Sequence, residues 1–526
     1  MISIYRVTQS NSKKKYTFIF QETFLLAALF FSVFAVPPPS VNESHYIVLS
    51  RNFWDAGWCE SDLFVSSEKT HFLFHSTFGF LTKHLDLAAA TWFARIVAWL
   101  SVALALRSVV RSLTRSPFAC LTVAVIWLAG NQACNFSQEW MIGGVEAKVF
   151  AYACILAGIA RFLDANWIKC WYWLCIATAF HVLVGGWCLI ACSVSSLMLY
   201  RNEVFTKRNI LHLLVGLAIS LIGLLPAVRA SLSSSQGDFS AAAEIYCTVR
   251  LPHHLWPEAF PSQAYLAHFS LVTLAFALLL LMRPGKVIKP IFTIYVCVVA
   301  ISMIGVSIGL VVSFFPDMSP RLLRLYWFRL SDSITPLFVA LSAVVGNAKR
   351  LMRFSTLVCL GALVVSFPAL SDFRVPSAMH EGTIDSSDWD CGTSHVYQNW
   401  LSLCFWTKAS TPSDEVFITP RHQQTFKWYA ERAEVVNWKD IPQDVDSIVK
   451  WRRRFVSIFP SKLGEERQTI HYSELKALKK DFGLRFIVID HQISGRVLPL
   501  VNVFNADFKK NSYDKKWLSH SVYRLP

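Results

Sequence analysis

Residues 170–200 read CWYWLCIATAFHVLVGGWCLIACSVSSLMLY, a run without a single Asp, Glu, Lys or Arg. A helix that crosses a bilayer needs about 20 apolar residues. This run is too long for one helix of ordinary tilt and too short for two complete ones. It therefore predicts two short helices meeting at a break near His181 and Gly185-Gly186. Irregular backbone at membrane depth is tolerated only where protein or a water-filled cavity surrounds it, so the break marks a place of interest.

Working outward, further apolar segments fall at 17–36, 87–106, 117–134, 147–163, 209–229, 264–282, 290–314, 324–346 and 354–371. With the broken run counted as two, the reading is a polytopic α-helical membrane protein of about 11 transmembrane helices. The composition agrees, with 54% hydrophobic residues, 16% charged residues and a mean hydropathy of +0.40 over 526 residues. The first segment follows Lys13-Lys14-Lys15 and ends at Pro37-Pro38-Pro39. A cleaved signal peptide is the rival reading, since Val33-Phe34-Ala35 is a tolerable cleavage sequence, but a retained helix carrying Gln21 and Glu22 is preferred. No internal repeat or low-complexity segment is visible.

A net charge of +15 would suggest nucleic acid in a soluble protein, so the placement of the charges matters. Residues 1–371 hold 28 Lys and Arg against 16 Asp and Glu, while residues 372–526 hold 22 against 19. The basic surplus clusters in alternate short loops, at Lys13–Lys15, Arg107–Arg115, Arg201–Arg208, Arg283–Lys289 and Lys349–Arg353. That is the positive-inside pattern, and no nucleic-acid partner is expected. It puts the N-terminus in the cytoplasm, the first outward loop at 37–86, and residues 372–526 outside. The expected location is the inner, cytoplasmic membrane, with the bilayer as partner and the last part of the chain periplasmic.

Most of the thirteen cysteines lie in apolar spans, where cysteine acts as a small hydrophobe. Cys59, Cys247, Cys391 and Cys404 fall outside, and a Cys391–Cys404 disulfide is one option on an oxidising side of the membrane. Asn42 and Asn135 begin Asn-x-Ser triplets that matter only in a host that glycosylates them.

From residue 372 the pattern becomes that of an extracytoplasmic α/β domain. Helices are predicted at 396–406, 423–432, 445–458 and 473–482, with strands at 415–419, 434–437 and 484–490. No Gly-rich phosphate loop and no nucleophile elbow is present. This domain is read as a scaffold or acceptor-binding unit, with Pro420–Trp428 and Asn437–Asp440 as its binding face and Arg452–Arg454 on a solvated helix face.

Candidate chemistry gathers in the outward segments. Asp55, Glu60, Asp62 and His71 in the first loop could hold a divalent cation such as Mg or Mn, because carboxylates are the hard oxygen ligands those ions prefer. One of them could instead serve as a general base. A solvated loop with ordinary charges is the plain alternative. Glu139, Glu146 and Lys148 bracket the start of the 147–163 span, where ionisable residues are functional candidates unless they merely neutralise one another. His181 sits at the helix break, as a structural donor or as part of a site. Arg250, His253 and His254 could hold a phosphate, although adjacent histidines on an extended segment point apart. Arg321, Arg324 and Arg329 stand on the outer side against the charge bias, which suits an anionic lipid phosphate or, for Arg329, a pair with Asp332 one turn on.

Several strings resemble a family of uncharacterised bacterial multi-pass membrane proteins whose C-terminal region is a domain of unknown function. They are Asp62–Ser67 with His71, Glu139–Lys148, Phe180–Trp187, Arg250–Leu255, Trp327–Asp332 and Thr411–Trp451. The layout is also similar to that of C-type (GT-C) glycosyltransferases, which have many helices, an acid in the first outward loop and a polyprenyl-phosphate sugar donor. That resemblance implies Asp62 as the loop acid and Arg250 or Arg329 at the lipid phosphate. The chain departs from the pattern in the second outward loop, where only Glu139 and Glu146 stand in place of an acidic dyad, and metal dependence is left open.

Three functions follow from these readings. The first is sugar transfer from a polyprenyl-phosphate donor to an envelope acceptor on the outer face. The others are a lipid or solute transporter or flippase built on the broken helix pair, and a non-catalytic envelope scaffold. Convergence of Asp62, Arg250 and Arg329 on one outward cavity would separate the first from the last.

Overall fold

A computed structural model describes residues 19–40, 42–139, 141–232, 236–282, 288–345, 392–460, 470–491, 498–505 and 519–526. Most of these residues are helical, and the chain is a multi-pass membrane protein. Five described helices are long and apolar enough to cross a bilayer, with others shorter. The five include Leu87–Leu113, Val182–Val204, Lys207–Ser231 and Lys289–Leu310, and the fifth lies within Ser262–Met282. Ile19–Phe34 and Ala119–Ala133 are apolar but shorter. The expected span at 354–371 and Cys391 lie outside the described residues.

The 170–200 run divides where a break was read. Trp167–Phe180 and Val182–Val204 meet at His181, which ends one helix in extended backbone and starts the next. The glycines lie one turn beyond the break and do different work. A Cβ on Gly185 would stand 2.3 Å from Thr178 N, so glycine there lets the two helices touch, whereas Gly186 faces open space.

The helix Ile19–Phe34 is part of the core. Leu26, Leu29 and Phe30 are buried against residues of Leu87–Leu113, and Glu22 takes ion pairs from Arg107 (2.9 Å) and Arg111. Arg95, in the middle of Leu87–Leu113, is fully buried and forks onto Glu43 at the start of the helix Glu43–Trp54. A mid-span arginine is expensive unless it is paired, and this carboxylate meets that need.

Described residues between Val416 and Arg524 form a five-stranded mixed sheet in the order β2-β1-β3-β5-β4. Its strands are β1 (Val416–Ile418), β2 (Ala433–Glu434), β3 (Phe486–Asp490), β4 (Val501–Asn505) and β5 (His520–Arg524). β1 runs parallel to β2 and β3, and β5 runs antiparallel to β3 and β4. Because strand side chains alternate, Phe417, Val488 and Val522 bury one face against Trp400, Leu403 and Cys404 of the helix Gly392–Ser410. Ile418, Ile487 and Tyr523 bury the other face in a second cluster.

That second cluster is where the sheet meets the membrane part. Val445, Ile448, Trp451, Phe455 and Ile458 recur at helical spacing on Val445–Ile458, and they share a core with Tyr246, Leu255, Leu323 and Phe328. Of the arginines beyond Trp451, Arg453 is exposed, whereas Arg454 donates to Val435 O (3.3 Å) and covers the Phe482 ring. Only Phe426–Ala430 of the expected 423–432 helix is helical. Cys404 is a buried free thiol whose pKa is raised by burial.

Candidate functional site

Six separate stretches of chain carry polar side chains to one place beside the helix break. Glu139 and Glu146 come from the loop between Ala119–Ala133 and Ala147–Leu163, and Lys148 from the first turn of the latter. Arg329 opens the helix Arg329–Val345, and Tyr326 precedes it by one turn. His181 is the break itself, His71 precedes Phe72–Thr77, Tyr46 lies in Glu43–Trp54, and Tyr246 and His254 lie in 245–255.

Lys148 pairs with Glu139 Oε1 and stands 3.3 Å from Glu146 Oε1. Arg329 donates through Nε to Glu139 Oε2 at 2.6 Å, and its Nη1 is 3.2 Å from His181 Nε2. Its guanidinium lies 3.7 Å over the Tyr326 ring. The His71 and His181 rings are 4.9 Å apart, and Tyr46 OH is 3.3 Å from His71 Nε2. Tyr246 OH is 3.1 Å from Tyr326 OH. His254 Nδ1–H donates to Ser137 O at 2.6 Å, and Asn42 Nδ2 donates to Glu146 Oε1 at 3.3 Å.

The electrostatics separate the two carboxylates. Burial would raise Glu139, but Arg329 and Lys148 outweigh it and hold the carboxyl down to about 2. Burial, helped by the charge on Glu139, raises Glu146 despite Lys148. Burial and Arg329 lower His71 to about 4. Burial lowers His254 to about 3, against the pull of Glu139. One carboxylate is therefore firmly ionised, its neighbour holds a proton more readily, and both imidazoles are neutral at pH 7. Groups driven apart in this way are suited to divide acid and base roles between them.

Within this cluster two atoms make no hydrogen bond, as is true of Arg321 Nε, Arg324 Nη1, His45 Nε2 and Asp440 Oδ1 elsewhere among the described residues. Arg329 Nη2 and Glu146 Oε2 have no hydrogen-bond partner among the described residues. The Arg329 side chain is 14% exposed, against 3% for Glu139, so it is on the open side of the cluster. The carboxylates do not fit a divalent cation, because Glu139 already faces a guanidinium and an ammonium, and Glu146 shares that ammonium.

Residues 398–458 match DUF6798, a domain of unknown function. No curated protein sequence matches the chain. Among solved structures the chain is similar to ArnT from Cupriavidus metallidurans bound to undecaprenyl phosphate. The two share 12% sequence identity with a TM-score of 0.39, over 96% of this chain and 97% of that one. A likeness at that level identifies neither a substrate nor the role of any residue.

The DUF6798 segment supplies the core of a second polar cluster, and this is where Asp62 goes. Lys427, 1% exposed, is surrounded by Asp62 (3.2 Å), Glu434 and Asp440. Asp62 Oδ1 caps its own short helix by accepting from Val65 N (3.0 Å), and Oδ2 accepts from Glu434 N (3.0 Å). His45 Nε2 lies 2.8 Å from Asp440 Oδ1, and Thr419 donates to Glu434. Burial would lower the Lys427 pKa, but Asp440, Asp62 and Glu434 together raise it well above its ordinary value.

These partners correct three expectations. Asp62 does not face the mouth of the bundle, since both of its oxygens are engaged inside the contact between the first loop and the DUF6798 segment. Arg250 is committed to that segment as well, donating to Trp438 O at 2.7 Å and lying over the Trp438 ring. Asp62 engages Glu434 and Lys427, Arg250 engages Trp438, and Arg329 engages Glu139 and His181. Arg329 and Asp332 do not pair with each other. Asp332 accepts from Phe136 N (3.0 Å), Ser137 N (3.1 Å) and the Ser137 hydroxyl.

Glu139, Glu146, Lys148, His71, His181, His254 and Arg329 are the sequence candidates that do come together. His253 lies beside His254, with ring centroids 4.1 Å apart and the rings tilted by 48°. Asp55 stays at the surface with Arg51. Arg324 donates to Gln443 O (2.7 Å) and Arg321 to Ser240, so both serve packing around the DUF6798 segment and the adjoining helix. Sequence reasoning missed Tyr46, Tyr246 and Tyr326, which carry no charge to betray them. It also missed the Glu43–Arg95 pair, which the lone arginine inside an apolar span could have revealed.

Proposed function

We propose that the chain is a membrane glycosyltransferase of the C type, transferring a sugar from a polyprenyl-phosphate donor to an envelope acceptor on the outer face. The observation that carries this reading is the buried Glu139–Lys148–Glu146–Arg329 cluster at a helix break, with one guanidinium nitrogen and one carboxylate oxygen left unengaged. Arg329 Nη2 is the group for the donor phosphate, because a guanidinium matches phosphate oxygens and is already oriented by Glu139. Glu146 is the general base: its free oxygen takes the acceptor hydroxyl proton while the acceptor oxygen bonds the anomeric carbon. The bond from that carbon to the phosphate oxygen breaks, and the polyprenyl phosphate leaves with the electron pair beside Arg329 and Lys148. No step is assigned to a divalent cation, and Asp62 acts by holding the first loop in place.

Glu146→Gln should abolish transfer while membrane insertion and the folded state persist. Comparison of cell-envelope glycans between the variant and the wild type decides it, and unchanged glycans would contradict the assignment. One observation favours a non-catalytic scaffold instead, namely that Asp62 and Arg250 are both spent on the DUF6798 segment. Under that reading Glu146→Gln leaves the glycans unchanged, whereas disruption of the Lys427 cluster alters partner recruitment.

A further inference from the structure

The first turn of the helix Glu43–Trp54 touches three parts of the protein in five consecutive residues. Asn42 donates to Glu146 in the candidate site, and Tyr46, one turn on and on the same helix face, meets His71 at 3.3 Å. Between them, Ser44 donates to Gln424 Oε1 (3.1 Å) and His45 meets Asp440 (2.8 Å), both on the DUF6798 segment. Glu43 completes the turn, accepting from Ser40 N and Val145 N at 2.7 Å and pairing with Arg95. One rigid turn thus faces the site with two side chains and the DUF6798 segment with two others.

The anchoring on the DUF6798 side is strong. Lys427 donates to Glu434 and Asp440 and stands 3.2 Å from Asp62, so the ammonium holds three carboxylates about one point. Asp440 is held there by Lys427, and its second oxygen reaches His45. A change at Asp440 therefore reaches both Lys427 and the helix turn. The turn cannot relax toward solvent, because Glu43 is fixed to a buried arginine.

We infer that the DUF6798 segment positions the candidate site through this turn, with Lys427 and Asp440 fixing His45 so that Asn42 meets Glu146 and Tyr46 meets His71. Lys427 and Asp440 are positioning residues in this scheme, because neither touches the site. The inference rests on the functional reading only in taking the site to be where a lipid phosphate binds.

The test uses the full-length protein in lipid nanodiscs, with Asp440→Asn, Tyr46→Phe and the double variant. Asp440→Asn keeps the size of the side chain and removes its charge. Hydrogen exchange should quicken in Asp440→Asn at residues 42–46 and also at 139–146, although among the described residues the hydrogen bonds and ion pairs of Asp440 go to Lys427 and His45. Unchanged exchange at 139–146 overturns the inference, whatever the site binds. With polyprenyl phosphate as probe, each single variant should weaken binding several-fold and the double variant no more than the weaker-binding single. Effects that multiply overturn the coupling while leaving the functional reading intact. A wild type that binds no polyprenyl phosphate removes the functional reading, and hydrogen exchange alone then decides whether Asp440 positions the site. A lower melting temperature with unaltered exchange at 139–146 would show Asp440 to be merely structural.

Discussion

The chain buries two clusters of charge, and they differ in what they leave over. Around Lys427 the ammonium donates to Glu434 and Asp440 and stands 3.2 Å from Asp62, which divides its oxygens between a helix cap and a strand amide. Around Arg329 the count does not close, with a guanidinium nitrogen and a Glu146 oxygen unengaged and two neutral histidines alongside. The Lys427 cluster joins the first loop to the DUF6798 segment, so its work is to fix two parts of the chain together. An open cluster retains capacity for a ligand, and the cost of burying it points to function.

The sharpest way to break this contrast is at Lys427. Lys427→Met leaves three carboxylates facing one another in a buried space, and it should destabilise the protein by about 3–5 kcal/mol, the range for losing one partner of a buried ion pair. Thermal unfolding in detergent measures it, and a shift within error would mean that the cluster is not a clamp. Next in size is Arg329→Ala, which should weaken polyprenyl-phosphate binding by about tenfold or more, since hydrogen bonds to charged groups contribute about 1.5–3 kcal/mol. Arg250→Ala, by contrast, should lower stability without a comparable change in affinity, because that guanidinium is committed to backbone carbonyls.

Acid should separate the clusters less dramatically. His71 and His254 take up a proton near pH 6.5 when unfolded, but only near about 4 and about 3 when folded. As pH falls through that window the unfolded chain binds more protons, so stability present above pH 6.5 is lost, by up to about 1.4 kcal/mol per pH unit for each group. Glu434 works in the opposite sense. Burial, with Asp440 and Asp62, raises it from 4.5 to about 7, so its contribution is complete below 4.5 and lost as pH rises toward 7. Glu139, held down to about 2, adds a loss of the same sign below pH 4.5, so the histidine effect is read as the difference between wild type and a His71 variant in unfolding midpoints from pH 7 to pH 3. Replacing His71 with Gln should flatten that acid limb.

The helix break at His181 was legible because hydropathy and length leave few solutions for an apolar run of that size. Glu139, Glu146 and Lys148 were legible because ionisable residues at the mouth of a span are costly. The fate of Asp62 was not. Its partners Glu434 and Lys427 lie more than 360 residues away in the chain, and nothing local to Asp62 tells a solvated loop acid from a buried one. Arg250 misled for the same reason, since an arginine satisfied by distant carbonyls reads in sequence like one awaiting a phosphate. The tyrosines around Arg329 escaped because hydroxyls on aromatic rings have no signature of spacing or charge.

The most direct measurement compares polyprenyl-phosphate affinity in nanodiscs for the wild type, Arg329→Ala and Arg250→Ala. Measurable binding by the wild type, about tenfold weaker in Arg329→Ala and little changed in folded Arg250→Ala, is the expected pattern for an open cluster that takes the phosphate. Equal affinity in wild type and Arg329→Ala would contradict it.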